Sequence, residues 1–149
     1  RLVAYDYIRE HALDWNVAWC DEKHIDAVNI LQATYDTMHR AIDGLKLKPD
    51  HLLVDGDRFR YYYRGGKCIP HTCLENGDNL YTPVAAASIV AKVEHDKYIE
   101  EMCDEHPELD EFYGLRSNKG YGTAQHLEGI KKYGSSEWHR KTFGICKDY

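Results

Sequence analysis

Asp55 ends the short apolar run Leu52-Leu53-Val54 and precedes Gly56. A carboxylate at the C-terminal end of a buried strand stands where α/β sheets collect ligands. Its burial is costly unless a cation or a donor pairs with it. The same residue also reads as a turn aspartate of an Asp-Gly pair, and Asp57 is an alternative ligand at that turn. Ser88, Lys92 and Asp96 follow one another at i, i+4 and i+8, which places a hydroxyl, an ammonium and a carboxylate along one helix face. That stripe is either a solvated face or a working one. Asp55 and Asp96 together would supply two hard oxygen donors of the kind that Mg²⁺ or Mn²⁺ takes. In SNKGYGTAQH (117–126), Gly120 and Gly122 flank Tyr121, Lys119 precedes it, and Thr123 can cap the next helix. A helix N-terminus favours an anion such as phosphate. A tyrosine displayed there can stack on a sugar or base, and the alternative is a ring folded back onto the core. His126 and the pair His139-Arg140 add donors, but their spacing is not a metal-binding signature.

These groups need elements to position them. Residues 2–12 predict a helix, and LDWNVAWC (13–20) alternates like a strand. Asp21 predicts an N-cap for a helix over about 22–43, where Ile25, Val28, Leu31, Tyr35, Met38 and Ile42 recur at helical spacing, with Gly44 as the stop. HLLVD (51–55) predicts a buried strand. The glycine-rich stretch 56–80 predicts a hairpin or long loop, and a long helix follows from Pro83 to about residue 105. Ala85, Ala86, Ala87 and Ala91 give that helix a small-residue surface suited to close packing on a sheet. A loop at 117–123, a helix from Thr123 or Ala124 to Gly134, and a turn at SEWHR complete the order. Strand, helix, strand, hairpin and helices make an α/β or α+β domain.

Composition narrows the function classes. The 149 residues are 43% hydrophobic and 30% charged, enough for a core and for solubility, and no apolar run is long enough for a membrane span. The net charge of −6 excludes a protein that coats nucleic acid by bulk charge. The charge is uneven. Residues 1–112 carry 12 Lys and Arg against 22 Asp and Glu, whereas residues 113–149 carry 7 against 3. The basic end is either a local docking surface for phosphate or a fluctuation in a short window. Five scattered cysteines without a CxxC pair indicate neither a zinc site nor a disulfide framework, and fit reduced thiols in a cytoplasmic protein.

Five ordered strings carry a more specific signal: IDAVNILQAT (25–34), HLLVDGDRF (51–59), AAASIVAKVEHD (85–96), NKGYGTAQH (118–126) and YGSSEWHRKTF (133–143). With these the chain resembles the bacterial ribonuclease HII family, the type 2 ribonucleases H, over nearly its whole length. The resemblance implies a ribonuclease H-like mixed sheet flanked by helices and lacking its first strand or strands, with residues 1–112 a partial catalytic core and residues 113–149 a basic helical substrate-binding region of the same domain. It implies a monomeric endonuclease, dependent on Mg²⁺ or Mn²⁺, that cleaves the RNA strand of RNA–DNA hybrids and incises at ribonucleotides embedded in DNA by two-metal hydrolysis. Asp55 and Asp96 match metal-binding catalytic aspartates of the family, and Tyr121 matches its tyrosine at the sugar of the ribo–deoxyribo junction. Lys119, Gly120, Thr123, His139 and Arg140 fall in substrate-side motifs, with Ser88 and Lys92 in support. The family's opening motif GxDEAGRG, with its Asp and Glu, does not occur among these residues, so an N-terminal truncation and an incomplete active site are expected. His95 and Asn76 stand where the family usually has Arg and Lys, which removes two cationic contacts. A non-catalytic nucleic-acid-binding module derived from such a nuclease is the competing reading. A phosphotransfer enzyme is disfavoured because no GxxxxGK[ST] string is present.

Overall fold

The computed structural model describes all 149 residues. In chain order the helices and strands are α1 (Leu2–His11), α2 (Glu22–Val28), α3 (Ile30–Asp43), β1 (Leu52–Asp55), β2 (Tyr62–Arg64), β3 (Lys67–Ile69), β4 (His71–Leu74), α4 (Gly77–Leu80), α5 (Thr82–Glu105), α6 (Glu108–Tyr113), α7 (Leu115–Asn118) and α8 (Ala124–Tyr133). A 3-10 turn, Gly144–Lys147, follows. The chain forms two compact units. One comprises residues 1–19 and 34–93, and the other residues 20–33 and 94–149.

The first unit holds all the strands. β1 pairs in parallel with β4, Leu52 opposite His71 and Asp55 opposite Leu74, while β2 and β3 form an antiparallel hairpin. Gly65 and Gly66 make the hairpin turn with φ of 59° and 77°, a region that glycine enters without a Cβ penalty. Leu52 and Val54 point inward and join Tyr62 and Ile69, with Met38 and Ile42 of α3 packed against them. The Tyr62 hydroxyl donates to Asp43 Oδ1 at 2.6 Å, and burial together with this acid raises its pKa. A second cluster gathers Tyr5, Val90 and Val93 with Ile8, Trp15, Val17 and Ile89.

The segment 13–20, expected as a strand, forms no strand and joins no ladder. Its alternation reports one-sided burial: Trp15 and Val17 pack into the second cluster. Its polar partners are irregular. Asp14 accepts from the backbone N–H groups of Lys46 and Leu47, and Asn16 donates to the Ala41 carbonyl. These bonds, the Leu47 one foremost, hold the Asp14 carboxyl below its usual range.

The second unit is helical. Ile99, Cys103, Leu109, Tyr113, Leu115 and Ile130 form its buried core, with Trp138 and Ile145 packed against them. α8 meets α6 so closely that a Cβ on Gly129 would lie 2.0 Å from the Phe112 carbonyl oxygen, so only glycine fits there. Asp26 of α2 accepts from Thr142 Oγ1 at 2.7 Å and from the backbone N–H groups of Lys141 and Thr142, which pins the C-terminal segment. The Thr142 hydroxyl is the main reason that the Asp26 carboxyl titrates low.

The single helix expected over about 22–43 is two. Asp21 does cap the first, accepting from His24 N–H at 2.8 Å. Asn29 then takes a φ of 76°, ends α2 by donating to Ile25, and starts α3 by accepting from Gln32 N–H at its side chain. Asparagine tolerates positive φ and is a good N-cap, so one residue does both jobs. The short helices α6 and α7 follow the long helix, expected to end at about residue 105, and run into the start of the loop expected at 117–123, where the sequence reading named no helix.

Candidate functional site

Asp55 lies at the exposed C-terminal end of β1, and its neighbours are set by the parallel pairing. Gly56 N–H donates to the Leu74 carbonyl at 3.0 Å, and the chain leaving β4 passes through Asn76, at φ 55°, into α4. Gly77 N–H then donates to Asp55 Oδ1 at 3.2 Å. This backbone donor orients the carboxylate while leaving it open to solvent. Gly77 is buried, and a Cβ there would meet Leu74 Cβ at 3.2 Å and Val84 Cγ1 at 3.4 Å. Sequence reasoning left Asn76-Gly77 within the hairpin or long loop of 56–80 and missed Gly77 as a partner of Asp55; the signal was an Asn-Gly pair one residue beyond a strand. Asn76 suits the left-handed conformation better than the lysine expected there from the family. Asp57 is on the surface, with Arg58 Nε 3.9 Å away.

On α5, Ser88 and Lys92 are exposed, and Asp96 is half-buried with His95 Nδ1 3.6 Å from its Oδ1, an ion pair only when the histidine is protonated. No group of three or more His, Cys, Asp or Glu side chains is placed to hold one metal ion. The carboxylates of Asp55 and Asp96 are nonetheless hard oxygen donors. Mg²⁺ is commonly held by one or two carboxylates, with water and substrate phosphate completing its shell.

In the helical unit, the loop of Tyr121 is built from below. Asn118 is buried, its amide donating to the Tyr113 carbonyl at 2.7 Å and its Oδ1 accepting from Gly120 N–H at 2.9 Å. Lys119 takes φ 54° and turns its ammonium onto Glu100, and Gly120 takes φ 87°. Tyr121 N–H donates to Asn118 and Thr123 N–H donates to Tyr121, so the ring stands outward, 64% exposed. Thr123 caps α8, accepting from His126 N–H at 3.3 Å. Arg116 reaches Glu100 at 2.6 Å, Asp104 at 2.7 Å and Asp110 at 3.9 Å, tying α7 to α5 and α6. Lys119 first and Arg116 second hold the Glu100 carboxyl below its usual range.

The structure therefore separates the residues expected on the substrate side. Gly120, Tyr121 and Thr123 are exposed. Lys119 is ion-paired, the Arg140 guanidinium lies 3.8 Å over the Phe143 ring, and His139 is half-buried, its Nε2 2.9 Å from that of His126. Gly120, Gly122, His126, His139, Arg140 and Phe143 share a pocket of about 230 Å³.

Comparison with known proteins decides the family. The family model for ribonuclease HII matches residues 3–146. The chain belongs to the ribonuclease HII family. Ribonuclease HII of Christiangramia forsetii is 43% identical over 141 residues, covering 95% of this chain and 67% of that protein. Ribonuclease HII of Parabacteroides distasonis is 44% identical with the same coverages, and that of Bacteroides thetaiotaomicron is 40% identical over 99% of this chain and 70% of its own. The chain thus spans about two thirds of the length of these relatives. The crystal structure of ribonuclease H2 from Pyrococcus horikoshii superposes with a TM-score of 0.73 over 97% of this chain and 72% of that one, at 21% identity, which establishes the α/β fold. Ribonuclease HII proteins are type 2 ribonuclease H endonucleases and generally depend on a divalent metal.

Proposed function

We propose that the chain is the greater part of an endonuclease that cleaves the RNA strand of RNA–DNA hybrids and incises duplex DNA at embedded ribonucleotides. The observation that carries this reading is that a match to the ribonuclease HII family running over residues 3–146 coincides with an exposed carboxylate at a strand end, Asp55, held by a single backbone donor. Asp55 and Asp96 are each proposed as a ligand of a divalent cation, Mg²⁺ or Mn²⁺. Such ions, when bound in pairs, activate water and stabilise the leaving oxygen. Gly77 keeps the Asp55 carboxylate aimed, and Tyr121 offers its ring to the sugar next to the ribonucleotide, whose 2′-hydroxyl distinguishes RNA from DNA. The cations of residues 113–149 contribute phosphate contacts, Arg140 among them. Ser88 and Lys92 present polar groups on the same stripe of α5 as Asp96.

The test is incision of a duplex carrying one ribonucleotide, in Mg²⁺ and in Mn²⁺. It compares the 149-residue chain with the same chain fused behind a segment containing GxDEAGRG, the motif that supplies the family's other two acids. Incision by the fusion, with the 149 residues alone near background, supports the reading. If the fusion binds hybrid duplex but never incises it, the chain is the non-catalytic binding module instead.

A further inference from the structure

His126 and His139 form a pair whose proton positions can be assigned from their partners alone. His126 Nδ1 lies 2.8 Å from the Tyr121 carbonyl oxygen. A carbonyl only accepts, so Nδ1 carries the hydrogen and, in the neutral ring, Nε2 offers a lone pair. His139 Nδ1 lies 2.9 Å from the backbone N–H of Ser136, which only donates, and 2.7 Å from the Ser136 hydroxyl. His139 Nδ1 is therefore the lone pair and its Nε2 carries the hydrogen. The two Nε2 atoms are 2.9 Å apart, so His139 donates to His126 and His126 donates to Tyr121. One arrangement of two neutral rings satisfies every atom. A proton added at either ring sets N–H against N–H.

We propose that this His139-to-His126 relay is the positioning device for Tyr121, fixing the loop carbonyl so that the exposed ring is presented in one orientation, and that protonation of the pair releases the loop. The inference rests on the reading that Tyr121 touches the substrate. The surroundings favour the neutral state. Tyr113 of α6 sets its ring edge 4.8 Å from His139 and turns its hydroxyl away to the Gly134 carbonyl. Lys141 and Arg140 flank His139 as cations, the Cys146 thiol belongs to the same packed cluster, Glu137 lies exposed two residues before His139, and Asp26 is committed to Thr142 and the Lys141 N–H. Burial foremost, then His126 and Lys141, push His139 down to about 4.

The experiment reads ring-nitrogen shifts and loop amide exchange by NMR on the 149-residue chain. His126 is expected as the Nδ1–H form, the less common tautomer of a free histidine, and His139 as the Nε2–H form. Exchange at Gly120, Tyr121 and Gly122 should rise as His139 takes up its proton. His139→Phe removes the donor and keeps the ring, and should speed loop exchange by about five- to tenfold, the worth of one hydrogen bond, with exchange in α6 unchanged. An Nε2–H form of His126, a His139 midpoint near its ordinary value, or an unchanged loop in His139→Phe overturns the proposal; the first two need no variant to fold. The reading of Tyr121 is tested separately, by Tyr121→Ala and binding of a single-ribonucleotide duplex. Undiminished binding there would overturn the substrate role while the NMR result stands or falls on its own.

Discussion

The corner of Asp55 and the corner of Tyr121 are built on opposite plans. At Asp55 the carboxylate has one backbone hydrogen bond, from Gly77, and open solvent. At Tyr121 the ring is exposed too, but the backbone beneath it is tied by Asn118, Thr123 and the two histidines, in a loop that follows α7, the helix braced by Arg116. The difference follows from what each group would have to do. A metal-binding carboxylate needs its lone pairs kept available, because every internal donor competes with the cation. A ring that reads a sugar by shape acts only through its orientation, and orientation improves with each bond underneath.

That contrast can be broken from the chemical side first. In the fusion carrying the added acids, Asp55→Asn should lower incision about a thousandfold or more, roughly 4 kcal/mol of barrier, without shifting the melting temperature. Near-normal incision would remove Asp55 from the metal site. The largest effect on folding should come from the helical unit. Gly129→Ala forces a methyl into the Phe112 carbonyl and should cost about 3 kcal/mol or more in denaturant melts. A cost below about 1 kcal/mol would show that α8 can step away from α6 freely.

Acid should act on the Tyr121 corner next. His139 titrates ordinarily at 6.5 when unfolded and at about 4 when folded. Between those values the unfolded chain binds the extra proton, so stability falls as pH falls from about 6.5 to about 4 and is fully present above that window. The contribution is at most about 3 kcal/mol, and a His139→Phe chain should lose that part of the pH dependence. In the Asp55 corner, Gly77→Ala should cost about 1 kcal/mol by crowding Leu74 and Val84, with a larger fractional loss in incision than in stability. Equal losses would make Gly77 a packing residue only. Smallest is Arg116→Ala, which should lower the melting temperature at low salt and by less at high salt, because its ion pairs are partly exposed and screened.

What could be read ahead of the structure divides along similar lines. The strand ending at Asp55, the long helix to residue 105 and the Thr123 cap were legible because apolar spacing and capping chemistry are local. The expected strand at 13–20 was not, since alternation marks a buried side and does not show whether a neighbouring strand exists to pair with Trp15 and Val17. The break at Asn29 hid inside an uninterrupted apolar period. Gly77 was invisible as a partner of Asp55 because their link depends on β1 and β4 lying side by side. The histidine relay was equally hidden, as residues 126, 136 and 139 reveal their tautomers only in three dimensions.

The ion pairs of Arg116 and Lys119 also bear on how the chain should meet a polyanion. Residues 113–149 carry seven cations. Three of them already face carboxylates: Arg116 and Lys119 those of α5 and α6, and Lys131 that of Glu128 on α8. The logarithm of hybrid affinity against the logarithm of salt concentration should therefore fall with a slope no steeper than about −3.6, the value for four phosphate contacts, rather than about −6 for seven.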